Sequence, residues 1–197
     1  MMKVFVASTV ALAMAGSAFA QASQSPPKAS APAASKQGSD QKFVVDAAKG
    51  GMAEVELGKL AEDKGSNDQV KSFGKRMVDD HGKANDELQK LAKNKSITLP
   101  TDLDQKDKAA KDRLSKLSGP AFDRAYMAAM LQDHKKDVSE FKHESTSGHD
   151  PDVKAFASKT LPTLEEHLKL AQDAEKVVGT SGTAKSSKKV GTSGVKK

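Results

Sequence analysis

Val70 to Leu91 reads VKSFGKRMVDDHGKANDELQKL. Its apolar members Val70, Phe73, Met77, Ala84, Leu88 and Leu91 advance in helical steps, so they share one face of a helix. His81 fills the gap between Met77 and Ala84 and therefore stands in a core position. The rhythm recurs downstream as Phe122, Tyr126, Met130, His134, Val138, Phe141, and again as Val153, Phe156, Thr160, Leu164, His167, Ala171, Ala174. Each stripe carries one histidine. Upstream, Phe43, Ala47, Gly50, Glu54, Leu57, Ala61 puts a carboxylate in the equivalent slot, whereas Glu56 points away with Lys49 and Asp63.

Helical periodicity runs through residues 42–178, Val and Ile are sparse, and no stretch alternates apolar with polar residues as a strand would. That length suits one domain with its own core. The expected fold is all-α: an antiparallel four-helix bundle with a short extra crossover helix between helices two and three. Gly65 closes helix one, and Ser66 with Gln69 forms a capping box opening helix two. A polar segment from about Asp102 to Leu117 is the crossover. Pro120 and Pro151 suit the first positions of helices three and four. The two hairpins echo each other: Asp68 to Phe73 resembles Pro151 to Phe156, and Phe43-x3-Ala47 parallels Phe122-x3-Tyr126.

The ends differ in character from the middle. Lys3, the apolar run Val4 to Ala15 and Ser17-Ala18-Phe19-Ala20 match a secretory signal cleaved after Ala20, which predicts export to the periplasm. The run is too short to span a bilayer, and no later segment replaces it, so no transmembrane helix is expected. The chain has no cysteine, which excludes disulfides, thiolate sites and a lipid-modified cysteine. Residues 21–41 form an Ala/Ser/Pro linker and residues 179–197 a Lys/Gly/Ser/Thr tail, both expected to be disordered. Five tail lysines with Lys3, Lys28 and Lys36 bring +8 and Asp40 brings −1 to the formal net charge of +6, which leaves residues 42–178 at about −1, nearly neutral. The basicity therefore points to no nucleic acid; its possible partner is an anionic envelope surface met by the tail, against a plain solubilising role.

Imidazole nitrogen and carboxylate oxygen suit zinc, copper, iron or manganese, and bundles build such sites from facing helices. Glu54, His81, His134 and His167 are thus the candidate ligands of one transition-metal ion. Measured from the first turn, Glu54 and His81 differ in height by roughly 6 Å, which the tilt of side chains toward their own N-terminus narrows. Pro162, shortly before His167, either spoils that register or sets it. Asp80, Asp133 and Glu166 cannot chelate with the histidines they precede, but are placed to orient an imidazole on another helix. The competing reading has the histidines satisfied by hydrogen bonds to Glu54, Tyr126 or Thr160, and convergence of four seams brings the two level. Met77 and Met130 read as packing, His143 and His149 as surface residues. No phosphate loop, nucleophile elbow or H-E-x-x-H motif occurs, and one Tyr without Trp offers no stacking platform, so no enzymatic activity is expected.

The segments Phe43-x3-Ala47 to Glu54-x-Glu56-Leu57-Gly58, Phe73-x3-Met77-Val78-x-Asp80-His81, Ser118-Gly119-x2-Phe122-Asp123-x2-Tyr126, Asp133-His134 and Leu161-Pro162-x4-His167 resemble the domain of unknown function 4142 family. The resemblance spans Lys42 to Ala174. It implies a secreted, ferritin-like helical bundle, often described as an outer-membrane protein. Ferritin-like di-iron sites use Glu-x-x-His on two helices. Here Val78, Leu131 and Leu164 stand three before the core histidines, so ferroxidase chemistry is not expected. Two functional readings follow: a periplasmic bundle holding one metal ion for metal handling or stress protection, or a metal-free structural or interaction protein of the cell envelope.

Overall fold

The structure is a computed structural model and describes the backbone of residues 33–186 and the side chains of residues 38–180. The expected signal segment and most of the linker and tail lie outside the described residues. The fold is all-α. Its elements are α1 (Ala33–Lys64), α2 (Asp68–Asn94), α3 (Gln105–Ser115), α4 (Gly119–Ser147) and α5 (Pro151–Ser186), with no strand among the described residues. Both outer helices run past the expected domain limits of 42 and 178.

Local chemistry sets the boundaries. Asn67, not Ser66, caps α2, its side chain accepting from the backbone N–H of Gln69 at 2.8 Å. Ser66 is occupied elsewhere, by Asp123. At the other end of α2, Ser96 takes a positive φ of 55°, and the N–H groups of Lys95 and Ile97 return to the carbonyl of Ala92 at 3.2 and 2.8 Å, closing the helix as a left-handed residue after the last turn does. Asp104 caps α3 by accepting from Asp107 N–H at 3.0 Å. Asp150 caps α5, accepting from Asp152 and Val153 at 3.0 and 3.2 Å. Pro162 interrupts nothing: α5 continues through it. Its ring is exposed, as is Ser158, whose carbonyl loses the proline's missing donor and can turn to water instead.

α1 packs on α2, α4 on α5, α2 on α5 and α1 on α4, while α3 touches α1 and α4. The α1–α2 crossing is tight because glycines face each other: a Cβ on Gly58 would lie 2.6 Å from the Gly74 carbonyl, and one on Gly74 would lie 2.7 Å from Ala61 Cβ. Two apolar clusters form. One joins Leu57 and Ala61 to Phe73, Met77, Phe122, Tyr126, Met130 and Ala171. The other joins Val44 and Ala48 to Leu88, Phe141, Phe156 and Leu164. Thus the later halves of α1 and α5 meet the earlier halves of α2 and α4, and the reverse. In α1 the buried face runs through Val44, Ala48 and Gly51; Phe43, Ala47 and Gly50, expected there, are half-buried beside it.

The hairpin echo has a structural counterpart at one constant spacing. Asp123 accepts from Ser66 N–H at 2.9 Å and pairs with the Ser66 hydroxyl. Asp40 accepts from the backbone N–H of His149 and Asp150 at 3.0 and 2.6 Å. Asp40 and Asp123 lie 83 positions apart, and so do Ser66 and His149, Asn67 and Asp150, Phe73 and Phe156. Each hairpin therefore supplies a buried aspartate that ties the turn of the other. At this spacing Phe43 answers to Tyr126 rather than to Phe122.

Candidate metal centre

Between the two apolar clusters lies a polar layer. Three helices supply it with His81 (α2), His134 (α4) and His167 (α5), exposed by 6%, 0% and 0%. One nitrogen of each ring lies within 4.8 Å of the others. Ring centroids are 5.8 Å apart for His81 and His134, and 5.3 Å for each of the other pairs. Phe73 packs edge-on against His134 and His167 from the side of the first cluster.

Each imidazole is anchored through one nitrogen. His81 Nδ1 is 3.0 Å from Glu54 Oε2. His134 Nδ1 is 2.9 Å from the Met130 carbonyl, with Glu54 Oε1 at 3.4 Å. His167 Nε2 is 2.9 Å from Asp80 Oδ2. In a neutral ring whose N–H points at an oxygen, the other nitrogen carries a lone pair. Those other nitrogens, His81 Nε2, His134 Nε2 and His167 Nδ1, are buried without a hydrogen-bond partner. Three buried ring nitrogens without partners in one layer are costly as a hydrogen-bonding arrangement. They fit a cation: the anchored nitrogens reproduce the oxygen–imidazole–metal relay by which proteins orient histidine ligands.

Glu54, expected as a fourth ligand, is brought to the layer but stands at the anchoring side of His81 and outside the histidine trio. Periodicity placed its face correctly; which imidazole edge its carboxylate meets depends on rotamers. Asp80 orients an imidazole of another helix, as its position suggested, and is itself held by Arg76 Nε at 3.0 Å. Arg76 also makes a bidentate pair with Glu166 at 3.0 and 2.8 Å, so Glu166 serves the guanidinium and no imidazole. Met77 and Met130 are fully buried in the first cluster, and His143 and His149 are exposed. Asp137, which sequence reasoning overlooked, lies near enough for the Glu54 and His81 charges to act on it; its one signal was its place three residues after His134, on the same helix face.

Charges in the layer act on one another. Burial acts to raise the Glu54 carboxyl, but positive charge on His81 and then His134 brings it down to about 2. Burial opposes protonation of His81, and the Glu54 carboxylate outweighs it, so His81 is raised. His167 falls to about 4 because burial, aided by neighbouring histidine charge, overrides its bond to Asp80. Burial and then Glu54 push Asp137 up to about 8 and raise Asp133 as well.

The family described as "Domain of unknown function (DUF4142)" matches residues 23–174. The chain belongs to this family. No curated protein matches it. Among solved structures, the DUF4142 chain is similar to one described as "Crystal structure of DUF305 fragment from Deinococcus radiodurans", at 13% identity and a TM-score of 0.61. The likeness covers 72% of this chain and 95% of that one. At that identity it speaks for a shared helical fold alone.

Proposed function

We propose that this DUF4142 protein is an exported, ferritin-like antiparallel four-helix bundle that binds one transition-metal ion through His81, His134 and His167, in metal handling or stress protection at the cell envelope. The observation that carries the reading is the set of three buried imidazole nitrogens without partners, one from each of three helices. Glu54, Asp80 and the Met130 carbonyl orient the rings. Tetrahedral zinc holds its nitrogen ligands about 3.3 Å apart, so the rings close inward on loading. A donor set of nitrogen alone suits zinc or copper before manganese, which prefers oxygen. The signal-like first 20 residues support export.

The test is elemental mass spectrometry on tag-free protein purified from periplasm, beside titration of the stripped protein with zinc and copper. The expected result is near-stoichiometric metal in the wild type and none in a His81→Ala, His134→Ala double variant. A wild type that arrives empty and takes up none of the added ions refutes the reading.

A further inference from the structure

We propose that the cleft between α1 and α4 is the path along which a metal cation reaches and leaves the histidine trio, an inference that rests on the metal-binding reading above. A cavity of about 780 Å³ opens between these helices beneath α3, and its lining includes both His81 and Glu54. Small residues hold it open: Ala47, Gly50 and Gly51 on α1, and Ala125, Ala128 and Ala129 on α4.

Both ends and two flanks of the helix assembly are taken up by other contacts. Apolar clusters occupy both ends of the helix assembly, where a hydrated ion would lose its water with no polar group to replace it. The α2–α5 flank is bridged by Arg76 to Glu166 and by Lys159 to Glu87 at 2.7 Å. Along α1–α2 the backbones touch at Gly58 and Gly74. The cleft, by contrast, offers oxygen along its length. Asp133 and Asp137 line it with Glu54, whose Oε1 is buried and has no hydrogen-bond partner. A buried carboxylate oxygen beside the cavity whose own contact, His134 Nδ1 at 3.4 Å, is long is what a passing cation requires in exchange for its hydration shell. Lys136, also in the wall, pairs with Glu140 at 2.7 Å and stands 3.8 Å from Asp137.

Gly50 allows a steric test. It lines the cleft, and nothing lies within 4 Å of a Cβ added there, so Gly50→Leu has room to leave the backbone and narrows the path in a helix that leucine favours. Gly82→Leu, equally unobstructed but absent from the cleft wall, is the control. Cobalt(II) uptake would be followed by stopped-flow absorbance and its release by transfer to a chelator. Gly50→Leu is expected to slow both by about tenfold or more and leave the Kd within about twofold of wild type, while Gly82→Leu matches wild type. The variant pair Asp133→Asn, Asp137→Asn adds no bulk and removes the Asp133 charge; its association rate should fall and lose part of its ionic-strength dependence, since a carboxylate in a cleft raises the on-rate of cations by about 10-fold or more. Wild-type kinetics in both Gly50→Leu and the Asn pair overturn the path while leaving the metal site intact. A weaker Kd in Gly50→Leu without slower release also overturns it. A wild type that binds no cobalt defeats the metal reading itself.

Discussion

Asp80 serves two partners at once, accepting from His167 Nε2 and from Arg76 Nε through the same carboxylate oxygen. Asp80→Asn keeps the shape and removes the charge, so the His167 imidazole is left with at best a neutral amide oxygen, which Arg76 also seeks, as the acceptor that orients it. The expected outcome is a zinc Kd weakened by about 10–100-fold, typical of ligand-orienting partners, with the fold intact by circular dichroism; calorimetric titration reads it. Asp137 gives a pH signature. Its carboxyl, pushed up to about 8, keeps its proton in the folded protein where the unfolded chain, near 3.9, has released it. The folded state then binds more protons, so stability falls as pH rises from about 4 to about 8. Metal-free Asp137→Asn should lose that slope, and thermal melts at pH 5 and pH 8 should show it gaining on wild type at the higher pH. The histidines were legible because a titratable side chain inside an apolar stripe has to be buried with the stripe. Asp40 and Asp123 were not, since both are buried only by reaching across to a turn in the other hairpin, a contact that periodicity within one helix does not encode.

At the scale of elements, those two aspartates replace what short turns cannot supply. Each satisfies backbone donors at a helix junction, Ser66 on one side and His149 with Asp150 on the other. Asp40→Ala and Asp123→Ala should each cost about 1–3 kcal/mol, the range for a lost cap that leaves buried donors unpaired. Because the two ties sit in different hairpin junctions, the double variant should cost about the sum, a statement that urea unfolding checks directly. Helix positions were readable from the Gly65, Pro120 and Pro151 signals. The cap at Asn67 was misread as Ser66, because a Ser-x-x-Gln pattern fits a capping box equally well until Asp123 takes the serine. Pro162 posed the reverse problem: sequence marks the lost hydrogen bond, but only the exposure of Pro162 and Ser158 tells that water can replace it.

Across the whole molecule, two apolar clusters enclose a layer that a purely structural protein would do better without. Three partnerless imidazole nitrogens and the Glu54 carboxylate weaken the metal-free core, because buried polar groups that lack partners cost more than apolar residues of similar size. Replacing the layer as a unit, His81→Leu, His134→Leu, His167→Leu with Glu54→Met, removes the charge and its counterparts together and leaves Asp80 paired with Arg76 at 3.0 Å. Relative to metal-free wild type, this variant should melt higher, on the order of 5 °C for a gain of one to a few kcal/mol. Wild type should recover the difference when loaded: zinc at about 100 times its Kd contributes about 2.7 kcal/mol to the folded state, and the variant should gain nothing. Paired scanning-calorimetry melts with and without zinc separate the two accounts of the layer. If the apolar variant melts below metal-free wild type, the histidines hold the bundle together by their mutual contacts; if it melts above, the layer persists at a cost to the fold that a bound ion offsets.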